Sequence, residues 1–268
     1  MGMLIWPMVA VGWVVNLVER GHASLKRIDS IFAEVPAVAA PAHPKQLPDP
    51  VEGSIEFRNV TVRYDGQTVL KDLNLRIAAG ETIALVGHVG SGKSTLVRLI
   101  PRLEDPAEGA VLLDGIDLRE LDPHDLRREM GIVPQETFLF SATIRENIAF
   151  GVPDATDEQA LQAAGVAGLA PDLEDFPAGL ETRVGERGLT LSGGQKQRTA
   201  IARALARNPR ILILDDALSA VDTATEERIL HQLERARKGR TTILISHRVS
   251  TIQDADRILV LENGEVAE

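Results

Sequence analysis

Two kinds of apolar spacing alternate along the chain. Residues 55–62 alternate apolar and polar side chains, the period of a strand with one wet face, and an edge position in a sheet is expected for it. Residues 82–86 are largely apolar and run into a glycine-rich loop, with a helix predicted from Lys93. Ile211, Leu212, Ile213 and Leu214 form a wholly apolar run, and residues 241–245 form another; strands buried on both faces read this way. Between these two runs Asp222 and Thr223 open a helix, and Thr223 with Glu226 makes a capping-box pattern. The order strand, loop, helix, strand predicts an α/β domain with a mainly parallel sheet covered by helices. Ligands on such sheets sit at the carboxyl ends of the strands.

The first residues follow neither period. Residues 2–18 carry no charge and are rich in Val, Leu, Ile, Met and Trp. As a helix they would rise roughly 25 Å, slightly less than a hydrocarbon core of roughly 30 Å. The run lacks the basic start and small-residue cleavage site of a signal peptide. It reads as part of a membrane-spanning helix whose beginning is missing; a buried helix of a soluble domain is the alternative. Beyond Glu19 and Arg20, the residues Leu25, Ile28 and Phe32 recur at helical spacing, so residues 1–35 are expected to end as an amphipathic cytoplasmic extension. Pro36, Pro41, Pro44, Pro48 and Pro50 then remove donors and fix φ, which makes residues 36–52 an extended linker. The α/β domain is expected over residues 53–268. No internal repeat is present.

Composition narrows the classes. The 268 residues include 29 Lys and Arg against 39 Asp and Glu, a formal net charge of −10, which argues against a nucleic-acid partner. There is no cysteine, so disulfides and thiolate metal sites are excluded.

Gly87-His88-Val89-Gly90-Ser91-Gly92-Lys93-Ser94-Thr95 fits G-x-x-x-x-G-K-[ST] between a predicted strand and a predicted helix. The glycines let successive N–H groups face one centre, and those dipoles with the helix N-terminus favour phosphate. Lys93 brings a positive charge to the β and γ phosphates, Ser94 a hydroxyl to Mg2+, and Thr95 helps to hold the phosphates. His88 is expected to face solvent. The strand over 211–214 ends in Asp215, an acid placed beside that loop and suited to hold Mg2+ directly or through water. Binding of MgATP or MgGTP follows from these residues.

Leu191-Ser192-Gly193-Gly194-Gln195 stands before a further helix and makes a second anion site at a helix N-terminus. One triphosphate does not need two such sites in one subunit, so the second is expected to serve the nucleotide of another subunit. This segment closely resembles the signature motif of ABC proteins, and the resemblance covers nearly the whole chain. It implies a P-loop NTPase (ABC ATPase) fold with a mainly parallel core sheet, an antiparallel β subdomain and a helical signature subdomain, preceded by a transmembrane helix fragment. It implies that Tyr64 stacks on adenine and that Gln135 contacts Mg2+ and the attacking water. It implies that Ser219-Ala220-Val221-Asp222 links the two subunits' sites and that His247 touches the γ-phosphate. Taken singly these residues say little; their order and spacing carry the resemblance. Residues 137–148 and Val184-Gly185-Glu186-Arg187-Gly188 are similar to the exporter-type segments that touch the coupling helices of a membrane domain. After residue 266 the family usually continues into a short helical tail, so the chain resembles a fragment of a longer half-transporter.

The family implied is an exporter ATPase using ATP and Mg2+. Its partners would be a second nucleotide-binding domain, in a homo- or heterodimer, and a transmembrane domain. Its place would be the cell (inner) membrane, with the nucleotide-binding domain on the cytoplasmic side. Asp216 departs from the pattern, because the family's usual residue after the magnesium aspartate is the glutamate that polarises the attacking water. Aspartate lacks one methylene, and about 1.5 Å of lost reach can misplace a base enough to slow the reaction greatly. Such a substitution resembles the slow half of a heterodimeric exporter; a homodimer in which Asp216 works adequately is the alternative. Soluble ABC proteins of DNA repair and translation share the clamp, and the apolar N-terminus and residues 137–148 speak against that class.

Overall fold

The apolar run at residues 82–86 forms a strand, and the larger part of the molecule is organised around it. The computed structural model describes residues 3, 5–152, 154–185, 191–236 and 239–267. Contacts divide the chain into two units, Met1–Ala39 and Ala40–Glu268. The first is dominated by helix α1 (Ile5–Phe32), none of whose residues is buried. Its charge-free part, residues 5–18, rises about 21 Å. Among the described residues no helix is long and apolar enough to cross a membrane.

The second unit carries two sheets. Strands β1 (Ile55–Tyr64) and β2 (Gln67–Ile77) precede β3 (Thr82–Val86) and the short helix α2 (Lys93–Leu99). Strands β4 (Glu108–Leu113) and β5 (Ile116–Asp117) follow, then α3 (Pro123–Arg128) and β6 (Met130–Val133). Helices α4 (Ile144–Ile148), α5 (Asp157–Val166), α6 (Ala170–Asp175) and α7 (Gly193–Ala206) form the helical part. The chain then runs through β7 (Ile211–Asp215), α8 (Thr223–Ala236), β8 (Thr241–Ile245), α9 (Val249–Ile252), β9 (Arg257–Glu262) and β10 (Glu265–Val266). One sheet has the order β2-β1-β4-β5 and is antiparallel throughout; the other has the order β10-β9-β3-β8-β7-β6 and is parallel except for β10.

One expectation is corrected here. Strand β1 is not an edge strand: it pairs with β2 on one side and β4 on the other. Alternation reports that one face is wet and is blind to how many neighbours the backbone has.

The parallel strands sort their side chains onto two cores. Ile211, Ile213, Ile243 and Ile245 join Ile83 and Leu85, Leu96 and Leu99 of α2, and Ile55, Phe57 and Leu73 of the antiparallel sheet. Leu212, Leu214 and Leu244 point the other way, onto Ala160 and Ala164 of α5, Ile201 and Leu205 of α7, and Ile229 of α8. Burying such a side chain contributes about 1.5–3 kcal/mol, so the central strands are held from both faces. Their carboxyl ends are thereby fixed side by side.

Helix starts are set by short polar side chains. Ser192 and Gln195 cap α7 reciprocally, as Thr143 and Glu146 cap α4. The Thr223 side chain, on which the expected box with Glu226 rests, lies outside what the structure describes. Asp222, one residue earlier, accepts the N–H of Thr225 at 3.0 Å, and its carbonyl accepts the N–H of Glu226 at 2.8 Å. Aspartate is among the strongest caps, and the Glu226 side chain is free to turn inward. Before β1 the proline-rich stretch is held locally: Lys45 N–H donates to the Glu120 carbonyl at 2.8 Å, and the Asp114 carboxylate accepts the N–H groups of Glu52, Gly53 and Ser54.

Candidate functional site

Strand β3 delivers the glycine loop at the carboxyl edge of the parallel sheet. A Cβ on Gly87 would lie 2.3 Å from the Leu261 carbonyl oxygen and 2.7 Å from Ser91 Oγ. At Gly92, where φ is 103°, a Cβ would lie 2.7 Å from Leu70 Cδ2. The loop is therefore pressed between β2 and the end of β9, and only glycine permits the approach. The N–H of Gly264 donates to the Ser91 carbonyl at 3.2 Å and closes the far side. Lys93 opens α2 and curls its ammonium back, donating to the carbonyls of Gly87 at 2.7 Å and His88 at 2.8 Å. Burial holds Lys93 below the usual lysine range, while Asp215 pulls it up. His88 and Val89 are exposed, as expected for His88.

Asp215 closes β7 one strand away from Val86, across β8. Burial and the neighbouring Asp216 push its carboxyl above the usual range, against the pull of Lys93 and His247. A carboxylate raised in this way gains from a cation placed beside it. Asp216 has φ 48°, and its N–H donates to the Ile245 carbonyl at 2.9 Å. Aspartate adopts this left-handed conformation more readily than most residues.

A cleft of about 220 Å³ gathers Lys93, Ser94, Thr95, Gln135, Asp215, Asp216 and His247, with Gly90 and Gly92, Val69 and Val89 also in its wall. Among the described residues no group of three His, Cys, Asp or Glu could hold a metal. The donors present are instead one hydroxyl, one amide and one carboxylate, from Ser94, Gln135 and Asp215. That set fits Mg2+, which keeps waters and takes substrate phosphate oxygens to complete its shell. The glycine cradle and Lys93 fit a triphosphate.

Tyr64 stands at the end of β1, outside the lining of that cleft. Its hydroxyl donates to Glu104 Oε2 at 2.6 Å, and burial with this hydrogen bond raises the phenol above its usual range. The residue is 38% exposed. Glu104 belongs to no motif in the sequence, and only its proximity to Tyr64 marks it.

The signature residues lie elsewhere. None of Leu191, Ser192, Gly193, Gly194 and Gln195 lines the cleft. Ser192 Oγ accepts the N–H of Gln195 at 3.2 Å, so the hydroxyl caps α7. A Cβ on Gly193 would sit 3.2 Å from Ala220 Cβ, and one on Gly194 would sit 3.1 Å from the Ala220 carbonyl oxygen. The two glycines thus give clearance to the loop carrying Ser219 and Asp222. Ser192, Gly193, Ser219, Ala220 and Asp222 are all exposed.

Within residues 137–148, Phe138 and Phe140 meet edge to face at 5.1 Å between ring centroids, and Phe150 lies 4.4 Å from Phe140. All three are substantially exposed. Arg203 lies over Phe140 and Phe150 and donates to the carbonyls of Phe138 and Asn147. Asn147 is fully buried and bonds both the N–H and the carbonyl of Phe140. Neither Asn147 nor Arg203 stood out in the sequence, because each acts through a partner far along the chain. Of the second exporter-type segment, Glu186, Arg187 and Gly188 lie outside the described residues.

A glycine cradle holding a lysine, with an acid at the end of a nearby parallel strand, defines the class of P-loop nucleotide-binding proteins. A family match described as ABC transporter covers residues 70–219, over half of the chain, and the chain belongs to that family. It is 44% identical over 270 residues to a probable multidrug resistance ABC transporter ATP-binding/permease protein of Bacillus subtilis (strain 168), covering 100% of this chain and 46% of that protein. It is 44% identical over 266 residues to an ATP-dependent lipid A-core flippase of Syntrophus aciditrophicus (strain SB), covering 99% of this chain and 44% of that protein. Among solved structures, a bacterial Atm1-family ABC exporter with ATP bound matches with a TM-score of 0.90 at 42% identity, covering 100% of this chain and 47% of that one. The chain thus spans less than half the length of these relatives. The ABC ATPase α/β fold is the fold expected from the signature and the phosphate loop, and a helix precedes it.

Proposed function

We propose that the chain is the ATP-binding and ATP-hydrolysing part of an ABC exporter, working in a dimer of nucleotide-binding domains. The observation that carries this reading is the division of labour just described. One cleft collects Lys93, Ser94, Thr95, Gln135, Asp215, Asp216 and His247, while Ser192, Gly193, Ser219, Ala220 and Asp222 are exposed and Ser192 and Gly193 lie outside its lining. Such exposed residues suit the nucleotide of a second subunit.

Lys93 and the loop N–H groups hold the β and γ phosphates, and Ser94, Gln135 and Asp215 would hold Mg2+. When bound, that ion neutralises charge on the phosphate oxygens. Gln135 and Asp216 orient a water in line with the γ-phosphate, and Asp216 accepts its proton. His247 and Lys93 stabilise the charge that develops. Tyr64 supports the adenine ring. The exposed aromatic face of Phe138, Phe140 and Phe150, stiffened by Arg203 and Asn147, suits an apolar helix of a transmembrane domain, and membrane location follows from that partner. A second reading, the slow regulatory half of a heterodimeric exporter, is favoured by the short side chain of Asp216.

Mixed dimers test the composite site. Lys93→Ala and Ser192→Ala chains are each expected to be inactive alone. Each mixed dimer keeps one composite site with both an intact loop and an intact signature, and random mixing makes about half of the dimers mixed, so phosphate release should recover toward about a quarter of the wild-type rate. Absence of any recovery would show that the signature acts within its own chain and would end this reading.

A further inference from the structure

The segment that follows the magnesium aspartate is gripped from two sides. On one side stands Gln197 of α7, only 6% exposed, with both ends of its amide in use. Its Nε2 donates to Ser219 Oγ at 2.8 Å, and its Oε1 accepts the N–H of Ala220 at 2.9 Å. Ser219 Oγ in turn donates to the carbonyl of Asp216 at 2.9 Å.

On the other side stands Arg248, the residue after His247. It donates through Nη1 to the Val221 carbonyl at 3.1 Å and through Nη2 to the Ser219 carbonyl at 3.0 Å. Arg248 is itself held by an ion pair with Glu226, which is 1% exposed and also accepts the hydroxyls of Ser250 at 2.9 Å and Thr251 at 2.8 Å. The third anchor is the N–H of Asp216 on the carbonyl of Ile245, the residue that ends β8 just before Ser246 and His247.

These bonds converge on one short loop. Asp216 sits at φ 48°, a conformation that a non-glycine residue keeps only where its surroundings over-determine it. Ala217, Leu218 and Val221 are buried in the core, while Ser219 and Ala220 between them are exposed, so hydrogen bonds fix the exposed stretch that packing does not. Two side chains with polar ends for packing alone would not need to spend those ends on consecutive backbone groups of the same loop.

We propose that Gln197 and Arg248 are positioning residues, which clamp residues 216–221 between the signature helix and the His247 turn and so set the direction of the Asp216 carboxylate. Displacement of either anchor moves that carboxylate. The inference rests on the reading of the cleft as a site of ATP hydrolysis.

The test uses the full chain and two measurements. In nucleotide-free protein, Gln197→Ala should speed hydrogen exchange of the Ala220 amide by about tenfold or more, because that amide loses its acceptor. With MgATP the same variant should lower kcat by about tenfold to a hundredfold, the range expected of a base misplaced by about 1 Å, with KM for ATP within about twofold of wild type. Gln197→Glu keeps the acceptor for Ala220 and loses the donor to Ser219. It should retain slow exchange at Ala220 and still lose turnover. Arg248→Ala should lower kcat by about tenfold, and combined with Gln197→Ala the loss should fall short of the product, since both act on one segment. The proposal is overturned by unchanged exchange and turnover in Gln197→Ala, by loss of protection along all of α7, or by KM rising in step with the fall in kcat. A wild-type chain that binds no ATP would instead sink the underlying reading, and the exchange arm, read without nucleotide, would still judge the clamp.

Discussion

Gly87 and Gly92 sit where a Cβ would strike Leu261 and Leu70, whereas Gly193 and Gly194 sit in the first turn of α7, where the nearest neighbours belong to Ala220 at 3.1–3.2 Å. The two glycine-bearing tips look alike in sequence, and each stands at the start of a helix. In the phosphate loop glycine is a backbone necessity: the chain takes left-handed dihedrals and runs against its own neighbours. In the signature glycine is clearance, which lets a second loop settle on the helix tip. The polar residues differ in the same way. Lys93 is turned inward over the carbonyls of its loop, while Ser192 faces outward and spends its hydroxyl on its own helix. A complete cradle and an incomplete one therefore occur in the same polypeptide, as a composite site requires.

The contrast can be broken most sharply at Gly87. Gly87→Ala should destabilise the domain by about 1–3 kcal/mol through overpacking, and it should weaken ATP binding at least about a hundredfold as the loop shifts. Urea unfolding and nucleotide titration read the two effects; normal ATP affinity would remove the claim that backbone contact shapes the cradle. Asp216→Glu acts on the same side with a smaller effect. It should raise phosphate release at saturating ATP by about tenfold by restoring reach, with no gain in melting temperature, since φ 48° suits aspartate better than glutamate. Equal rates for the two proteins would mean that Asp216 already reaches the water, and the slow-half reading would fall. On the signature side Ser192→Ala should lower stability by about 1 kcal/mol, the value of a lost cap, while the isolated chain keeps its ATP affinity. A thermal melt and a binding titration separate the two, and a fall in that affinity would place the signature in the chain's own site.

The strands at 82–86, 211–215 and 241–245 were legible because their burial on both faces leaves mainly apolar runs. The cleft was legible because Lys93, Ser94 and Asp215 stand at the ends of those runs. What could not be read was pairing across distance. Nothing in residues 55–62 says that β4 will lie beside β1. Nothing in the helix opening says that Glu226 will turn inward to Arg248. Gln197 and Asn147 are polar residues among others in their helices, and their roles exist only where the fold brings Ala220 and Arg203 to them. Motifs report local chemistry, while buried polar side chains report the topology that surrounds them.

The wall against which Gly87 rests is Leu261, and the amide that closes over Ser91 belongs to Gly264. Leu261 lies in β9 and Gly264 in the turn that follows it, both beyond the signature in the chain. A nascent chain that has already made the loop and even the signature still lacks this backing, so its cradle stays slack. Nucleotide capture thereby depends on chain that lies far downstream of the loop itself.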